Sequence, residues 1–357
     1  MHVSRASWTE PYELLALIDG AAEVGFDTVV FEDRRYGTVV HPSAYEPWSE
    51  ALNGVDPGWD PLAVALERAH ERGLRFLVAM QVIPVWYGAS PPRDARHPWQ
   101  ALSAWRWRDA SGEEQALRAD ALVSLDPCLP EVRRYLANVV VEPLRRYPID
   151  GLLLVDARFP NEYPALPRGN PGDAPRSARA LELYRAATGL APDDDAAAWL
   201  RWRANQLTAL VALIRSEARA ALGPDRSFEL DAEVCPEREV AETQQQDWRA
   251  WLREGLVDAV VPFDDGLRAP VVWRERQAEW RDRAAGGARV MPVLTVEPDP
   301  FGVALTGEWG ARLAGARAAT GAVLVAGAEP WLASGLADLA SGNGSRSALA
   351  RALAASR

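Results

Sequence analysis

Eight short runs rich in β-branched and aliphatic residues recur along the chain, and each is followed by a segment with helical periodicity. An alternation of strands and helices predicts βαβ units that share a parallel sheet. Eight such units close a (β/α)₈ barrel, an architecture that commonly occupies about 250 residues or more in one domain. The sequence therefore predicts a single α/β domain over residues 1–357, with a (β/α)₈ TIM barrel over 3–330 and a C-terminal helical tail over 331–357 that closes it.

The predicted strands differ in the length of the loops behind them, and the longest loops follow strands two, three and four. Active sites of this architecture are built from the loops that follow the strands, so chemistry-bearing residues are expected at strand ends. The pair Asp60 and Pro61 predicts a helix start, with Asp60 as the cap. The strands are predicted over residues 2–8, 27–33, 75–82, 150–159, 227–234, 257–265, 288–298 and 321–331.

Charge and composition narrow the classes of partner and cofactor. The formal net charge is −11, whereas binding through phosphate contacts needs clustered Lys and Arg, so nucleic acid is not expected as a partner. The two cysteines, Cys128 and Cys235, are far apart and form no CxxC pair, and the four histidines show neither HxH nor HExxH spacing. No disulfide framework, metal site or cofactor is therefore expected.

Targeting signals are also missing from the sequence as it stands. It contains no run of about 18 apolar residues, so no membrane span is expected. Met1 lies only a few residues before the first predicted strand, which leaves no room for a signal peptide. The chain as given is expected in the cytoplasm, and it would be an exported protein if a leading segment had been trimmed. The sequence leaves the oligomeric state open.

One long segment carries a resemblance to a known family. From Thr28 the chain reads TVVFEDRRYGTVVHPSAYEPWSEALNGVDPGWDPLAVALERAHERGL, whose HPSAYEPWS and DPGWDPL pieces resemble a loop and a helix start of the glycosyl-hydrolase-like family 10. LDPCLPEVRRYL with YPIDGLLLVDARFP resembles that family's fourth unit, and QDWRAWLREGLVDAVVP resembles its sixth. The resemblance implies a barrel of glycoside-hydrolase type that acts on, or binds, a polysaccharide or oligosaccharide, with bacterial cell-wall glycan among the candidates.

The chain departs from the family pattern at three strand ends. Near the end of strand two it has Glu32 where the family usually has Gln, and at strand three Gln81 keeps only the amide character of the family's motif. At strand four the family shows a His and then two consecutive Asp, whereas an ungapped alignment places Leu153, Val155 and Asp156 there. Because an apolar residue can neither protonate a leaving group nor attack an anomeric carbon, one of the family's two carboxylates is lost at this strand.

The acids of strand five offer a second carboxyl group. Glycoside hydrolysis needs two, one protonated and one ionised. Glu229, Asp231 and Glu233 alternate with apolar residues, which places all three on one face, and the need to pack helices on the outer face directs them into the barrel. Asp156 as nucleophile or base and Glu233 as general acid are the predicted catalytic pair. The alternative is that these acids pair with arginines in a polar interior or cap a turn.

Other residues at strand ends and in the following loops are candidates for substrate binding. An indole face can stack on the apolar side of a sugar ring, and several of the 15 tryptophans fall in these loops. Core packing is the alternative for the tryptophans, and ion pairing for the charged residues. The candidates are Trp8, Glu32, Arg34, Gln81, Trp86, Arg158, Asp231, Glu297 and Trp331.

Two functions of different classes follow. The first is an O-glycosyl hydrolase that cleaves a polysaccharide or cell-wall glycan by a two-carboxylate mechanism without a cofactor. The second is a catalytically degenerate barrel that binds carbohydrate or a protein partner, which the losses at strand four favour. A barrel enzyme for phosphate ligands would need a Gly-rich loop after strand seven or eight, where TVEPDPFG and AGAEPW offer acids instead. The particular glycan and the stereochemical outcome stay open.

Overall fold

Parallel strands form the framework of the molecule. The computed structural model describes residues 1–108, 112–119, 121–159, 175–236, 238–262, 278, 287–295, 307–326, 328 and 345–355. The strands in these ranges are β1 (His2–Val3), β2 (Thr28–Arg34), β3 (Arg75–Gln81), β4 (Pro84–Tyr87), β5 (Leu122–Ser124), β6 (Gly151–Val155), β7 (Glu229–Val234), β8 (Ala259–Pro262), β9 (Arg289–Val290), β10 (Val293–Thr295) and β11 (Leu324–Ala326). β1, β2, β3, β6, β7, β8 and β9 form one parallel sheet in that order. β10 and β11 form a parallel pair, and β4 and β5 an antiparallel one.

Helices alternate with the parallel strands and begin where the sequence provides caps. The Asp60 carboxylate accepts a hydrogen bond from the Ala63 N–H at 3.1 Å, and Pro61 follows it, which confirms the predicted helix start. Asp195 caps its helix in the same way through Ala198. The helices are α1 (Pro11–Val24), α2 (Pro61–Glu71), α3 (Pro98–Ala101), α4 (Pro130–Arg146), α5 (Ala178–Thr188), α6 (Ala196–Leu222), α7 (Arg238–Thr243), α8 (Trp248–Arg253), α9 (Gly307–Thr320) and α10 (Ser345–Ala355).

Apolar residues form one cluster on each face of the parallel sheet. The larger cluster joins the helices to outward-facing strand residues such as Phe31, Phe76 and Leu152. The smaller cluster is formed by residues that alternate with these along the strands, so it lies on the inward face. It unites residues from β2 and from β11, and β11 also lies near β1, so the strands curl around an interior. Its buried members are Val30, Leu77, Ala79, Leu153, Val261, Val293 and Leu324.

Most of the predicted strands are present, with shorter limits. β1 ends at Val3, well before the predicted end at Trp8. β6 ends at Val155 and not at Phe159, because the next residue, Asp156, has a φ of +50° in the left-handed region, which breaks the extended backbone. The β4–β5 pair and helix α5 lie in segments where the sequence predicted loops alone.

A helix near the C-terminus packs on the rest of the described fold. α10 packs against α1 and α9, with Leu349 and Leu353 buried. None of the helices that the structure describes is long and apolar enough to cross a membrane.

Two aspartates bind the backbone at the N-terminal ends of the parallel strands. The Asp150 carboxylate, just before β6, accepts the Phe76 N–H of β3 at 2.7 Å. The Asp258 carboxylate, just before β8, accepts the Leu230 N–H of β7 at 2.8 Å. Each aspartate therefore binds the backbone of the preceding strand in the sheet, which holds neighbouring strands in register at the edge opposite the cavity described below.

Gly151 permits a close approach of β6 to β7, and this generates a prediction for stability. A Cβ at this position would lie 2.5 Å from the Glu229 carbonyl oxygen, a backbone atom that cannot move without shifting β7. Gly151→Ala is expected to lower the free energy of unfolding by about 1–3 kcal/mol, the usual cost of overpacking. The measurement is urea unfolding of parent and variant. A midpoint equal to the parent's would contradict the close packing of these two strands.

Candidate active site

A cavity of about 500 Å³ opens at the C-terminal ends of the parallel strands. Its apolar floor includes Leu153 and Leu324 of the inward cluster. Polar side chains from β2, β3 and β7, and from the turn after β6, form its walls. The sequence predicted a site at this edge, and six of the predicted residues lie together here. They are Glu32, Arg34, Gln81, Asp156, Arg158 and Glu233.

Asp156 occupies the turn directly after β6 and is held from both sides. Its left-handed backbone conformation turns the chain away from the sheet at the cavity wall. Oδ2 accepts a hydrogen bond from Gln81 Nε2 at 2.8 Å, and Oδ1 pairs with Arg158 Nε at 2.8 Å. Since both oxygens have a donor, Asp156 is a carboxylate fixed in position at the cavity.

Glu233 lies at the end of β7, and its side chain is partly exposed to the cavity. Burial, followed by the negative charge of Asp156, raises the pKa of Glu233 to about 8, although Arg158 and Arg35 act in the opposite direction. At neutral pH Glu233 is therefore mostly protonated. One acid and one carboxylate stand in the same cavity.

The other two acids of β7 share its inward face but do not reach the cavity. Asp231 is fully buried, and it stands in register with Leu153 and Ala259. Burial first, and then Glu229, raise the pKa of Asp231 well above its ordinary value. Glu229 lies at the opposite edge, where it pairs with arginines of β3 and β9. The predicted binding role of Asp231 is thus corrected, because a side chain without exposed surface cannot contact a substrate.

Glu32 holds the first residues of the chain and the end of β2 at the cavity. Its carboxylate accepts hydrogen bonds from Ser4 Oγ and the Arg5 N–H, each at 3.1 Å, and from Arg35 at 2.9 Å. Burial alone would raise the pKa of Glu32, but the charges of Arg35, His2 and Arg5 outweigh it and lower the pKa. Glu32 is consequently an ionised partner of Arg35 at the cavity wall.

Arg34 lies at the cavity, but its charge is neutralised by an ion pair away from it. The guanidinium is fully buried and forms a forked ion pair with Glu46, with distances of 2.8 Å from Nε and 2.6 Å from the terminal nitrogen. It also donates to the carbonyl oxygens of Gln81 and Val82. The expectation that Arg34 binds substrate is therefore corrected: all of its polar contacts serve the loop after β2 and the end of β3.

Neither Trp8 nor Trp86 lines the cavity. Trp8 is buried in the outer core, with its ring stacked on Phe31 at 5.9 Å between centroids, so its face is not available to a sugar. This corrects its predicted role and follows from the early end of β1. Trp86 lies on β4, where its N–H donates to the Ser90 carbonyl and its ring packs edge-on against His97. Glu297 and Trp331 lie outside the described residues.

Sequence reasoning missed several polar residues of the cavity. Arg35 lines the wall and pairs with Glu32. Gln246 bridges the ends of β6 and β7, because its amide donates to the carbonyls of Ala157 and Glu233 and accepts from the Cys235 N–H. The available signal was the run of three glutamines, 244–246, in the segment after strand five, because the loops that follow the strands of a barrel carry its site residues.

A buried histidine fastens the loop after β2 outside the cavity. His41 Nδ1 lies 2.8 Å from an Asp33 oxygen, and Nε2 lies 3.4 Å from Glu142 of α4. Burial would lower the pKa of His41, but the charge and hydrogen bonds of these two carboxylates raise it to about 9. The loop is thus anchored by a buried imidazolium between two acids.

This cluster predicts a dependence of stability on pH. Because the pKa of His41 in the folded chain lies above its ordinary value of 6.5, its stabilisation is complete below about pH 6.5 and is lost as the pH rises through about 9. Comparing parent with His41→Asn, we expect a difference in unfolding free energy that shrinks by about 3 kcal/mol over this interval. Urea unfolding at a series of pH values measures it. A difference independent of pH would contradict a charged His41.

Comparison with known proteins identifies the family of this chain. Residues 1–267 match the family described as glycosyl hydrolase-like 10. The chain belongs to this family. Among curated family relatives, glycosyl hydrolase DigH of Escherichia coli O6:H1 is 25% identical over 265 residues, which cover 69% of this chain and 56% of DigH. The chain therefore spans little more than half the length of that relative. The family resemblance predicted from the sequence is confirmed.

Solved structures extend the likeness beyond the family. Alpha-L-fucosidase isoenzyme 2 from Paenibacillus thiaminolyticus superimposes with a TM-score of 0.62 at 14% identity, covering 99% of this chain and 48% of the fucosidase. The catalytic domain of β-amylase from Paenibacillus polymyxa gives a TM-score of 0.60 at 13% identity, covering 96% and 95%. At such identities the likeness shows a shared fold, and the fold of this family member is thus one that glycosidases use.

Proposed function

We propose that this chain is an O-glycosyl hydrolase whose catalytic pair is Asp156 and Glu233. The observation that carries the proposal is the pair itself: an acid whose pKa is raised to about 8 shares a cavity with a carboxylate fixed by Gln81 and Arg158. Membership of a glycosyl hydrolase-like family supports a glycosidic substrate. Two carboxyl groups with different protonation states are what glycoside hydrolysis requires.

In this mechanism Glu233 donates its proton to the glycosidic oxygen as the bond to the anomeric carbon breaks. Asp156 then has one of two roles. It either attacks the anomeric carbon and forms a covalent glycosyl ester, which a water molecule deprotonated by Glu233 then hydrolyses, or it takes a proton from a water molecule that attacks the anomeric carbon directly from the opposite side. The first route retains the configuration of the anomeric carbon and the second inverts it, so the anomer released first, read by NMR, assigns the role of Asp156.

We propose a polysaccharide or oligosaccharide as the substrate, with bacterial cell-wall glycan among the candidates. The cavity is open at the ends of the strands and combines an apolar floor with charged walls, which suits a sugar ring with apolar faces and polar edges. We also propose that the strands close into an eight-stranded barrel in which β9 and β10 together form the seventh strand and β11 the eighth. The inward cluster shared by β2 and β11 supports this closure.

A second candidate function is carbohydrate binding without turnover. The ion pair between Arg158 and Asp156 favours it, because a carboxylate already engaged by a guanidinium and an amide is a weaker nucleophile or base. The same contacts would still orient a bound sugar. The two functions therefore predict the same ligand class and differ in whether the glycosidic bond is cleaved.

The pair is tested by isosteric replacement. Glu233→Gln and Asp156→Asn are each expected to lower kcat by at least about a hundredfold, because an amide can neither donate an acidic proton nor supply a carboxylate. Release of reducing ends from soluble oligosaccharides and bacterial cell-wall glycan measures the activity. Glu229→Gln is the matched control, since it lies on the same face of the same strand at the opposite edge and should retain activity.

Two results would contradict this proposal, one for the assigned catalytic pair and the other for hydrolysis itself. One is full activity of either cavity variant. The other is binding of these glycans by the parent chain with no release of reducing ends, which would establish the second candidate function in its place.

The raised pKa of Glu233 predicts the alkaline limb of the pH profile. A general acid must be protonated, so kcat/KM is expected to fall as the pH rises above about 8. Initial rates over a pH series measure this limb in the parent. An alkaline limb below about pH 6 would instead indicate an acid with an ordinary pKa, and Glu233 would then not be the proton donor.

A further inference from the structure

Two tyrosines beside the cavity form a partly exposed aromatic surface, here called the aromatic ledge (Tyr36 and Tyr87). Their rings stack with centroids 5.5 Å apart and planes inclined by 21°. The Arg35 guanidinium lies over the Tyr36 ring, 4.8 Å from its centroid. Tyr87 is 44% exposed, so its ring is the open member of the pair. An exposed aromatic face next to a polar cavity is a surface on which a ligand can stack.

The backbone under Tyr36 is unusual for an aromatic residue. Arg35 and Thr38 exchange two backbone hydrogen bonds, and the two residues between them both have positive φ, +55° at Tyr36 and +70° at Gly37. This is the pattern of a type I′ turn, for which Asn-Gly is strongly preferred. A bulky residue in the left-handed region is strained, and such strain is concentrated at functional sites. Asn would form the same turn with less backbone strain, so the fold does not require a tyrosine at this position.

Two hydrogen bonds through Gln81 join the ledge to Asp156, the proposed catalytic carboxylate. The Tyr36 N–H donates to Gln81 Oε1 at 2.7 Å, and Gln81 Nε2 donates to Asp156 at 2.8 Å. On the other side, His97 Nε2 donates to the Tyr36 carbonyl oxygen at 2.8 Å. Gly37 packs so closely on His97 that a Cβ would lie 2.9 Å from its ring. The ledge is thus fixed relative to the cavity and continuous with it.

We propose that the aromatic ledge is a binding subsite for a pyranose ring of a carbohydrate chain, next to the ring that occupies the cavity. The inference rests on the carbohydrate ligand of the proposed function. The apolar C–H face of the sugar stacks on Tyr87, while Arg35, which contacts both cavity and ledge, donates to hydroxyl groups between the two rings. The substrate class is accordingly a chain of at least two sugars, with longer chains bound more tightly than a monosaccharide.

The test measures affinity against chain length in the full chain carrying Glu233→Gln, so that ligands are not consumed. Linear cello-, malto- and chito-oligosaccharides, from the monosaccharide to the hexasaccharide, are titrated by calorimetry. Tyr87→Ala and Tyr36→Asn are compared with Tyr12→Ala, which removes an exposed tyrosine on α1. Tyr36→Asn suits the type I′ turn better than tyrosine does, so it removes the ring without weakening the fold.

In the series that binds, affinity is expected to rise with length, and the ledge variants are expected to weaken the longer ligands by about three- to tenfold. Binding of the monosaccharide, and all binding by Tyr12→Ala, should match the parent. Three results would overturn the subsite: no binding in any series, equal affinity at every length, or ledge variants that bind long ligands like the parent. Hydrolysis is measured separately in chains that keep Glu233. If the ledge variants weaken binding but no chain hydrolyses a ligand, only the catalytic proposal is overturned. If the ledge variants hydrolyse long ligands like the parent, only the subsite is overturned.

Discussion

Burial of carboxyl groups on the inward face of a curled parallel sheet is the constraint on which the site depends. An uncompensated charge is costly there, so each acid must gain a cationic partner, accept hydrogen bonds or keep its proton. Along β7 the outcomes differ with position. Glu229 pairs with two arginines at one edge, Asp231 is fully buried with a raised pKa, and Glu233 has a pKa raised to about 8 at the cavity. One strand thereby produces both a structural ion pair and a candidate proton donor.

The same constraint explains why neighbouring carboxyl groups take different roles. Asp156 has left the strand at a left-handed turn, where Gln81 and Arg158 reach both of its oxygens. Glu233 is still within the strand and partly buried, and the charge of Asp156 adds to the effect of burial on its pKa. The difference in protonation between the two groups therefore arises from where each strand ends. A shift of one residue in either strand would place the side chain on the other face of the sheet.

Sequence reasoning recovered the parts of this structure that depend on periodicity. The parallel strands, the capped helices and the shared face of the β7 acids follow from local patterns, and so does the meeting of Asp156 and Glu233 at one edge. It failed where contacts distant in sequence decide the outcome. Nothing local shows that Glu46 engages Arg34 or that Trp8 packs on Phe31. Tyr36 was missed for another reason, since tyrosine has a low propensity for the turn conformation it occupies.

The loop between β2 and α2 is fastened from within by the Arg34–Glu46 fork and by His41 between Asp33 and Glu142. These buried ion pairs order the loop when the chain folds. The conformational entropy of the loop is therefore lost during folding and not during binding of a ligand. The proposed aromatic ledge, which this loop carries at Tyr36, therefore adapts little to its ligand. For the proposed carbohydrate ligand, selection should come from the fit of a rigid surface. Rings whose substituents clash with that surface should be rejected, because the loop has little capacity to rearrange around them.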